Sequence, residues 1–103
     1  MTAKASFGNN KAERRPLDVT VVLFDGGLSS TAIMPTEIFH SAGKLWNVLH
    51  QRPEEQAFRV RTVTLDGKAV RSPYGLSIVP EDAIAAITRT DIVIVPTSGL
   101  DLD

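Results

Sequence analysis

The chain has 103 residues, enough for one small domain with a modest core. With 43% apolar and 22% charged residues it has the composition of a soluble globular domain, and a net charge of −1 argues against a nucleic-acid-binding domain, which is normally clearly basic. The absence of cysteine excludes a disulfide, a cysteine–zinc site and a cysteine nucleophile within these residues, and no apolar run approaches the roughly 20 residues of a membrane span.

Residues 1–16 carry Lys4, Lys11, Arg14 and Arg15 with a single large apolar residue, Phe7. No apolar signal-peptide core follows, so this stretch reads as a mobile leader able to make only weak, salt-sensitive contacts with DNA. Asp18-Val19-Thr20-Val21-Val22-Leu23-Phe24 is mostly β-branched and apolar on both parities, the pattern of a strand covered on both faces in a parallel sheet. It ends at Asp25-Gly26-Gly27-Leu28-Ser29-Ser30, where the glycines admit a turn. Ile38, Phe39, Ala42, Leu45, Trp46 and Leu49 then recur at spacings of three and four, which predicts one long amphipathic helix with Trp46 in its apolar stripe. It begins either with Thr31 as cap or with Met34 before Pro35, and stops before Pro53. A strand followed by a crossover helix implies a right-handed βαβ unit.

Phe58 to Leu65 predicts a second strand nearer the sheet edge, its Arg59 and Arg61 on one solvated face, ending at the Asp66-Gly67 turn. Lys68 to Ser72 and Leu76 to Val79 are short strands around Pro73-Tyr74-Gly75. Glu81 and Asp82 are placed to open a short helix filled by Ala83, Ile84, Ala86 and Ile87. Asp91 to Pro96 is a second strand apolar on both parities, expected beside the first and central in the sheet, with a loop at Thr97-Ser98-Gly99-Leu100. A central last strand needs further strands and helices, so the chain reads as the amino-terminal part of a larger α/β domain, residues 17–103, and as prone to associate through its unpaired apolar surfaces.

In open parallel sheets ligands bind beyond the carboxyl ends of the strands, at the switch point. That rim comprises Asp25, Gly26, Gly27, Thr97, Ser98 and Gly99, with Thr31 and Glu37 nearby, and these residues are the candidate ligand site. Gly26-Gly27-Leu28-Ser29-Ser30 supplies neither a dinucleotide fingerprint nor a phosphate loop. Asp25 alone is not a phosphorelay acid cluster, and Asp91 stands at the wrong end of its strand. His40 and His50 are ten residues apart and read as surface histidines, not metal ligands. Ser98-Gly99 lacks the surrounding G-x-S-x-G of a nucleophile elbow. No catalytic residue, metal site or cofactor site is assigned.

The ordered set of segments resembles a known family. Asp18 to Phe24, Pro35-Thr36-Glu37-Ile38-Phe39 with Ala42-Gly43, Phe58-Arg59-Val60, Asp66-Gly67, Val70-Arg71-Ser72, Gly75 to Ile78 and Asp91 to Pro96 are similar to the ThiJ/PfpI-type, class I glutamine-amidotransferase-like domain at the amino terminus of AraC-family (GlxA-like) transcriptional regulators. The resemblance covers residues 17–97 and implies a flavodoxin-like three-layer α/β sandwich with a mainly parallel sheet, usually dimeric, working in the cytoplasm. Enzymes of that family use a cysteine on a strand–helix elbow downstream of the strand matched by Asp91 to Pro96, supported by an acid early in the first helix region. Counting back from Pro35, the position matched to that acid is Thr31, and the usual Pro-Gly-Gly is Pro96-Thr97-Ser98-Gly99. These departures imply a non-catalytic sensor or oligomerisation domain that takes a small-molecule effector and forms homo-oligomers, DNA being bound only through a carboxyl-terminal helix-turn-helix absent here. The alternative is a fragment of a cofactor-free ThiJ/PfpI-type hydratase, amidase or hydrolase.

Overall fold

The computed structural model of the chain describes residues 15–98. Most of the predicted leader, and Gly99 of the candidate site, lie outside the described residues. Six strands, β1 (Leu17–Val22), β2 (Phe58–Thr64), β3 (Val70–Arg71), β4 (Ser77–Ile78), β5 (Asp82–Ala83) and β6 (Ile92–Ile94), are joined by helices α1 (Ser29–Ser41) and α2 (Leu45–Leu49) and a 3-10 turn at Ile84–Ala86. A four-stranded sheet runs in the order β5-β2-β1-β6 and every pairing in it is parallel. The β3–β4 pair is a separate antiparallel hairpin. This is the α/β, flavodoxin-like arrangement expected from the sequence.

β1 pairs along its whole length with β2 and along Val19 to Val21 with β6, which is why four successive residues, Asp18 to Val21, are buried. Val19, Val21 and Leu23 point to the face under α1, where Ala32 and Phe39 pack on them with Phe58, Val60, Ile92 and Ile94. Phe39 meets Phe58 edge to face, ring centroids 4.8 Å apart, a favoured aromatic geometry.

The other parity of β1 is buried differently from the expectation. Asp18 accepts a hydrogen bond from Arg59 Nε at 2.6 Å, and Thr20 Oγ1 donates to Thr90 Oγ1 at 2.8 Å. Paired polar groups, not an apolar helix, satisfy that side. Arg59 is therefore half of an ion pair and not merely a solvated strand residue.

The single long helix is also corrected. Its first part starts at Ser29, two residues before Thr31 and well before Met34, so Pro35 sits inside α1. An internal proline costs a helix about 3 kcal/mol, and what holds this one is tertiary: the Leu28 amide donates to the Thr97 carbonyl at 2.8 Å, fixing the helix start. The helix then breaks at Gly43, which has φ +79° and lies so close to the Glu55 carbonyl that a side chain has no room. α2 restarts beyond the break with no buried residue, and Trp46 is 61% exposed, stacked on His50 instead of sitting in a core.

One further expectation fails and another is met in part. Glu81 and Asp82 open no helix; Asp82 belongs to β5 beside Val63, and the Glu81 amide donates to the Thr62 carbonyl at 3.0 Å. β6 lies beside β1 as expected, whereas on its other side no strand stands among the described residues and Val93 and Val95 are exposed.

The amino ends of β1 and β6 are tied by charge. Arg15 forks onto Asp91 at 2.9 and 3.2 Å, and Asp91 Oδ2 accepts the Asp18 amide at 2.8 Å. Arg15, assigned to the mobile leader from sequence, is thus anchored. The hydrogen bond from Arg15, followed by that from the Asp18 amide, holds the Asp91 carboxyl below its ordinary range. A lowered folded-state pKa stabilises the fold above the unfolded value of about 3.9, and that contribution fades as pH falls through the folded value. Asp91→Asn is expected to melt earlier than the parent at pH 7, with the difference shrinking towards pH 3. Thermal melts across that range check this, and an unchanging gap would contradict it.

Candidate functional site

The chain passes from β1 to β2 on one side of the sheet and returns later to β6 on the other. The switch point therefore lies at the carboxyl ends of β1 and β6. Two loops meet there, Leu23 to Leu28 after β1 and Val95 to Ser98 after β6, with the first turn of α1 between them.

Six of the eight sequence-predicted site residues converge at this point. Gly27 and Ser98 form an isolated antiparallel bridge, and Leu28 N–H donates to the Thr97 carbonyl. Thr31 Oγ1 donates to the Leu28 carbonyl at 2.7 Å and accepts the Thr97 amide at 3.1 Å. Asp25 Oδ1 accepts the Arg71 amide at 3.0 Å, while Gly26 N–H donates to the Arg71 carbonyl at 2.8 Å. Gly26 has φ +86°, the left-handed turn that glycine adopts without strain. Glu37 does not join them. It lies on the exposed side of α1, about a turn and a half beyond Thr31, and makes no contact with the rim.

These bonds narrow the crevice. What remains is a partly open cleft of ≈ 10 Å³, lined by Leu23, Phe24, Gly27, Leu28, Ser29, Ala32, Val70, Ser72, Ile78 and Pro96. That is the volume of about one water molecule's probe sphere. The lining is apolar apart from Ser29 and Ser72. Ser29 Oγ is buried and has no hydrogen-bond partner among the described residues. Ser72, itself buried, spends its Oγ on the amides of Tyr74 and Leu76 at 3.3 and 3.2 Å, shaping the hairpin turn.

Sequence reasoning missed Ser29, Ser72 and Arg71. Ser72-Pro73-Tyr74-Gly75 carries a turn signal, with serine first, proline second and glycine fourth, that predicts a serine hydroxyl facing backbone amides. Nothing in the sequence pattern says that this turn folds over the rim. Among the described residues no cluster of His, Cys, Asp and Glu could hold a metal ion. Nor is any helix among them long and apolar enough to cross a membrane.

No protein-family model matches the chain, and no curated protein matches it. Solved structures do share its fold. A DJ-1 superfamily protein from Agrobacterium tumefaciens superposes with a TM-score of 0.53 at 15% identity, over 80% of this chain and 38% of that one. An AraC family transcriptional regulator from Pseudomonas putida gives 0.56 at 23% identity, over 85% and 51%. A candidate transcriptional regulator from Vibrio parahaemolyticus gives 0.59 at 18% identity, over 86% and 43%. The chain thus spans about half the length of these structures or less. The family resemblance drawn from the sequence has its counterpart in the fold.

Thr31→Val keeps the side-chain shape and deletes both hydrogen bonds at the junction of α1 and β6. Each such bond is worth about 0.5–1.5 kcal/mol net, and the Thr97 amide freed by the change is exposed and can turn to water. The variant should lose about 1–3 kcal/mol in denaturant unfolding, with hydrogen exchange quickened at Thr97 and not at Val21. Wild-type stability in Thr31→Val would show that the clamp carries no weight.

Proposed function

We propose that the chain is the sensor and oligomerisation part of an AraC-type transcriptional regulator. It is non-catalytic in this reading, its rim takes a small-molecule effector, and its DNA-binding helix-turn-helix lies outside these residues. Thr31 is the observation that carries the proposal. It occupies the position where the resemblance places an acid, and its hydroxyl is already spent between Leu28 and Thr97. A threonine so engaged neither exchanges a proton at neutral pH nor turns towards a nucleophile. Further support comes from the fold shared with the Pseudomonas and Vibrio structures. The effector would meet Asp25, Gly26, Gly27, Thr31, Thr97, Ser98 and Gly99, the loops of the switch point. A cytoplasmic location belongs to the same reading.

Homo-oligomerisation has its own physical support. Met34, Pro35, Ile38 and Phe39 line an open groove of ≈ 460 Å³ along α1. Beyond it Leu45, Trp46, Val48 and Leu49 of α2 are all exposed. Contiguous apolar surface of this kind marks an association site in a soluble protein.

The enzyme alternative is tested directly. The purified protein is expected to turn over no amide, ester, glyoxal or isocyanide substrate above buffer; turnover that disappears in Thr31→Ala or Ser98→Ala would sink the sensor reading. Light scattering is expected to give dimers or larger species with strong hydrophobic-dye binding. A sharp monomer peak with negligible dye uptake would remove the oligomerisation half of the proposal.

A further inference from the structure

The β3–β4 hairpin roofs the rim cleft, with Val70 and Ile78 packed on the core and little backbone pairing of its own. Its strands pair over two residues each, and an isolated two-stranded unit is marginal in water. Both ends are pinned to β2: Thr64 Oγ1 donates to the Lys68 carbonyl at 2.8 Å, and Glu81 N–H to the Thr62 carbonyl at 3.0 Å. Between those pins its hydrogen bonds to the rim are the reciprocal pair made with Arg71, Gly26 N–H to the carbonyl and Arg71 N–H to Asp25 Oδ1. Gly67, with φ +77°, sits beside the first pin. Val70, Ser72 and Ile78 face inwards onto the cavity, whereas Tyr74, Leu76 and Val79 are exposed. Directly beneath is the orphaned Ser29 Oγ.

We propose that the hairpin is a lid on the rim, latched by Asp25, and that its opening admits a small, largely apolar ligand bearing one hydrogen-bonding group. This rests on reading the rim as an effector site. The cleft has room for no more than a water, so anything larger fits only if the roof lifts. In this form the buried Ser29 hydroxyl has no partner among the described residues, and a ligand's donor or acceptor would supply one. Leu23, Ala32, Val70, Ile78 and Pro96 around that hydroxyl set the apolar character of the remainder. Because the latch is made of one carboxylate and backbone groups, it opens without disturbing the β1–β2 ladder. The hairpin keeps its own turn closed through Ser72 N–H to the Leu76 carbonyl at 2.8 Å, so it moves as a unit.

The test uses the full chain, wild type beside Asp25→Ala, Asp25→Asn and Ser29→Ala. Amide exchange is read at Gly26 for the latch, at Ser72 for the hairpin interior and at Leu23 for the sheet, each corrected for its intrinsic rate. Asp25→Ala is expected to speed Gly26 exchange about tenfold or more and leave Ser72 and Leu23 alone, while Asp25→Asn, which keeps an acceptor oxygen, stays near wild type. Cyclohexanol serves as the probe, an apolar body with one hydroxyl, followed by methyl shifts of Leu23, Ala32 and Ile78. It should bind Asp25→Ala more tightly than wild type, and Ser29→Ala more weakly. Unchanged Gly26 exchange in Asp25→Ala overturns the lid. So does equal acceleration at Ser72, which would mean that the hairpin melts instead of hinging. Fast Gly26 exchange without any cyclohexanol shift leaves the latch in place and overturns the rim as a ligand site.

Discussion

The constraint on which the rest depends is the double pairing of β1. Its ladder with β2 and its shorter ladder with β6 consume backbone groups on both edges, so Asp18 to Val21 can be buried without orphaned amides or carbonyls. The β6 ladder alone is only three residues long, too short to be secure by backbone bonds. It is fixed at its two ends by side chains. At the amino end Arg15, Asp18 and Asp91 bind one another, and at the carboxyl end Thr31 holds the Thr97 amide. The placement of α1 follows, because Leu28 and Thr31 are tied to that same carboxyl end.

The two fastenings differ in chemistry, and their surroundings explain why. The amino end is open to water, where a forked guanidinium–carboxylate contact retains its geometry and adds modestly to stability. The carboxyl end borders a small cleft with a mostly apolar lining, and a charge turned into that cleft would be expensive to desolvate. Neutral hydroxyl and amide groups make the connection instead. Asp25 obeys the same logic, since it is exposed and only its contact with the Arg71 amide reaches inwards.

Much of the frame was legible because its signals are local. The β-branched run of β1, the alternation in β2 and the apolar run before Pro96 specify strands, and their order specifies a parallel sheet with its switch point at Asp25-Gly26-Gly27 and Thr97-Ser98. What was not legible depends on contacts distant in sequence. Spacing alone carries the apolar stripe straight through residue 43, and only the approach of Glu55 shows why the helix must end there. The rule against a residue with helical backbone before proline pointed to a start at Met34. The bond from Leu28 to Thr97, almost seventy residues downstream, overrides it. Glu37 was placed by assuming a helix start that the chain does not use. Asp18, Arg59 and Asp91 looked like isolated charges because strand register, which pairs Asp18 with Arg59, is not written in either strand alone.

The rim shows how hydrogen bonds between two loops can fill a switch point. A catalytic crevice must leave its polar groups available, with donors and acceptors aimed at a reacting atom and room for that atom. Here Gly27, Leu28, Thr31, Thr97 and Ser98 have turned towards one another, and what is left of the crevice has the volume of a water molecule. Each of these bonds ties the two loops of the switch point to one another. The exception is Ser29, whose hydroxyl is buried without a partner among the described residues, under a hairpin of two short strands. Stability alone would favour alanine there, since a methyl group loses nothing on burial. A buried hydroxyl beneath a movable roof is what a site needs if it is to be silent when shut and selective when open.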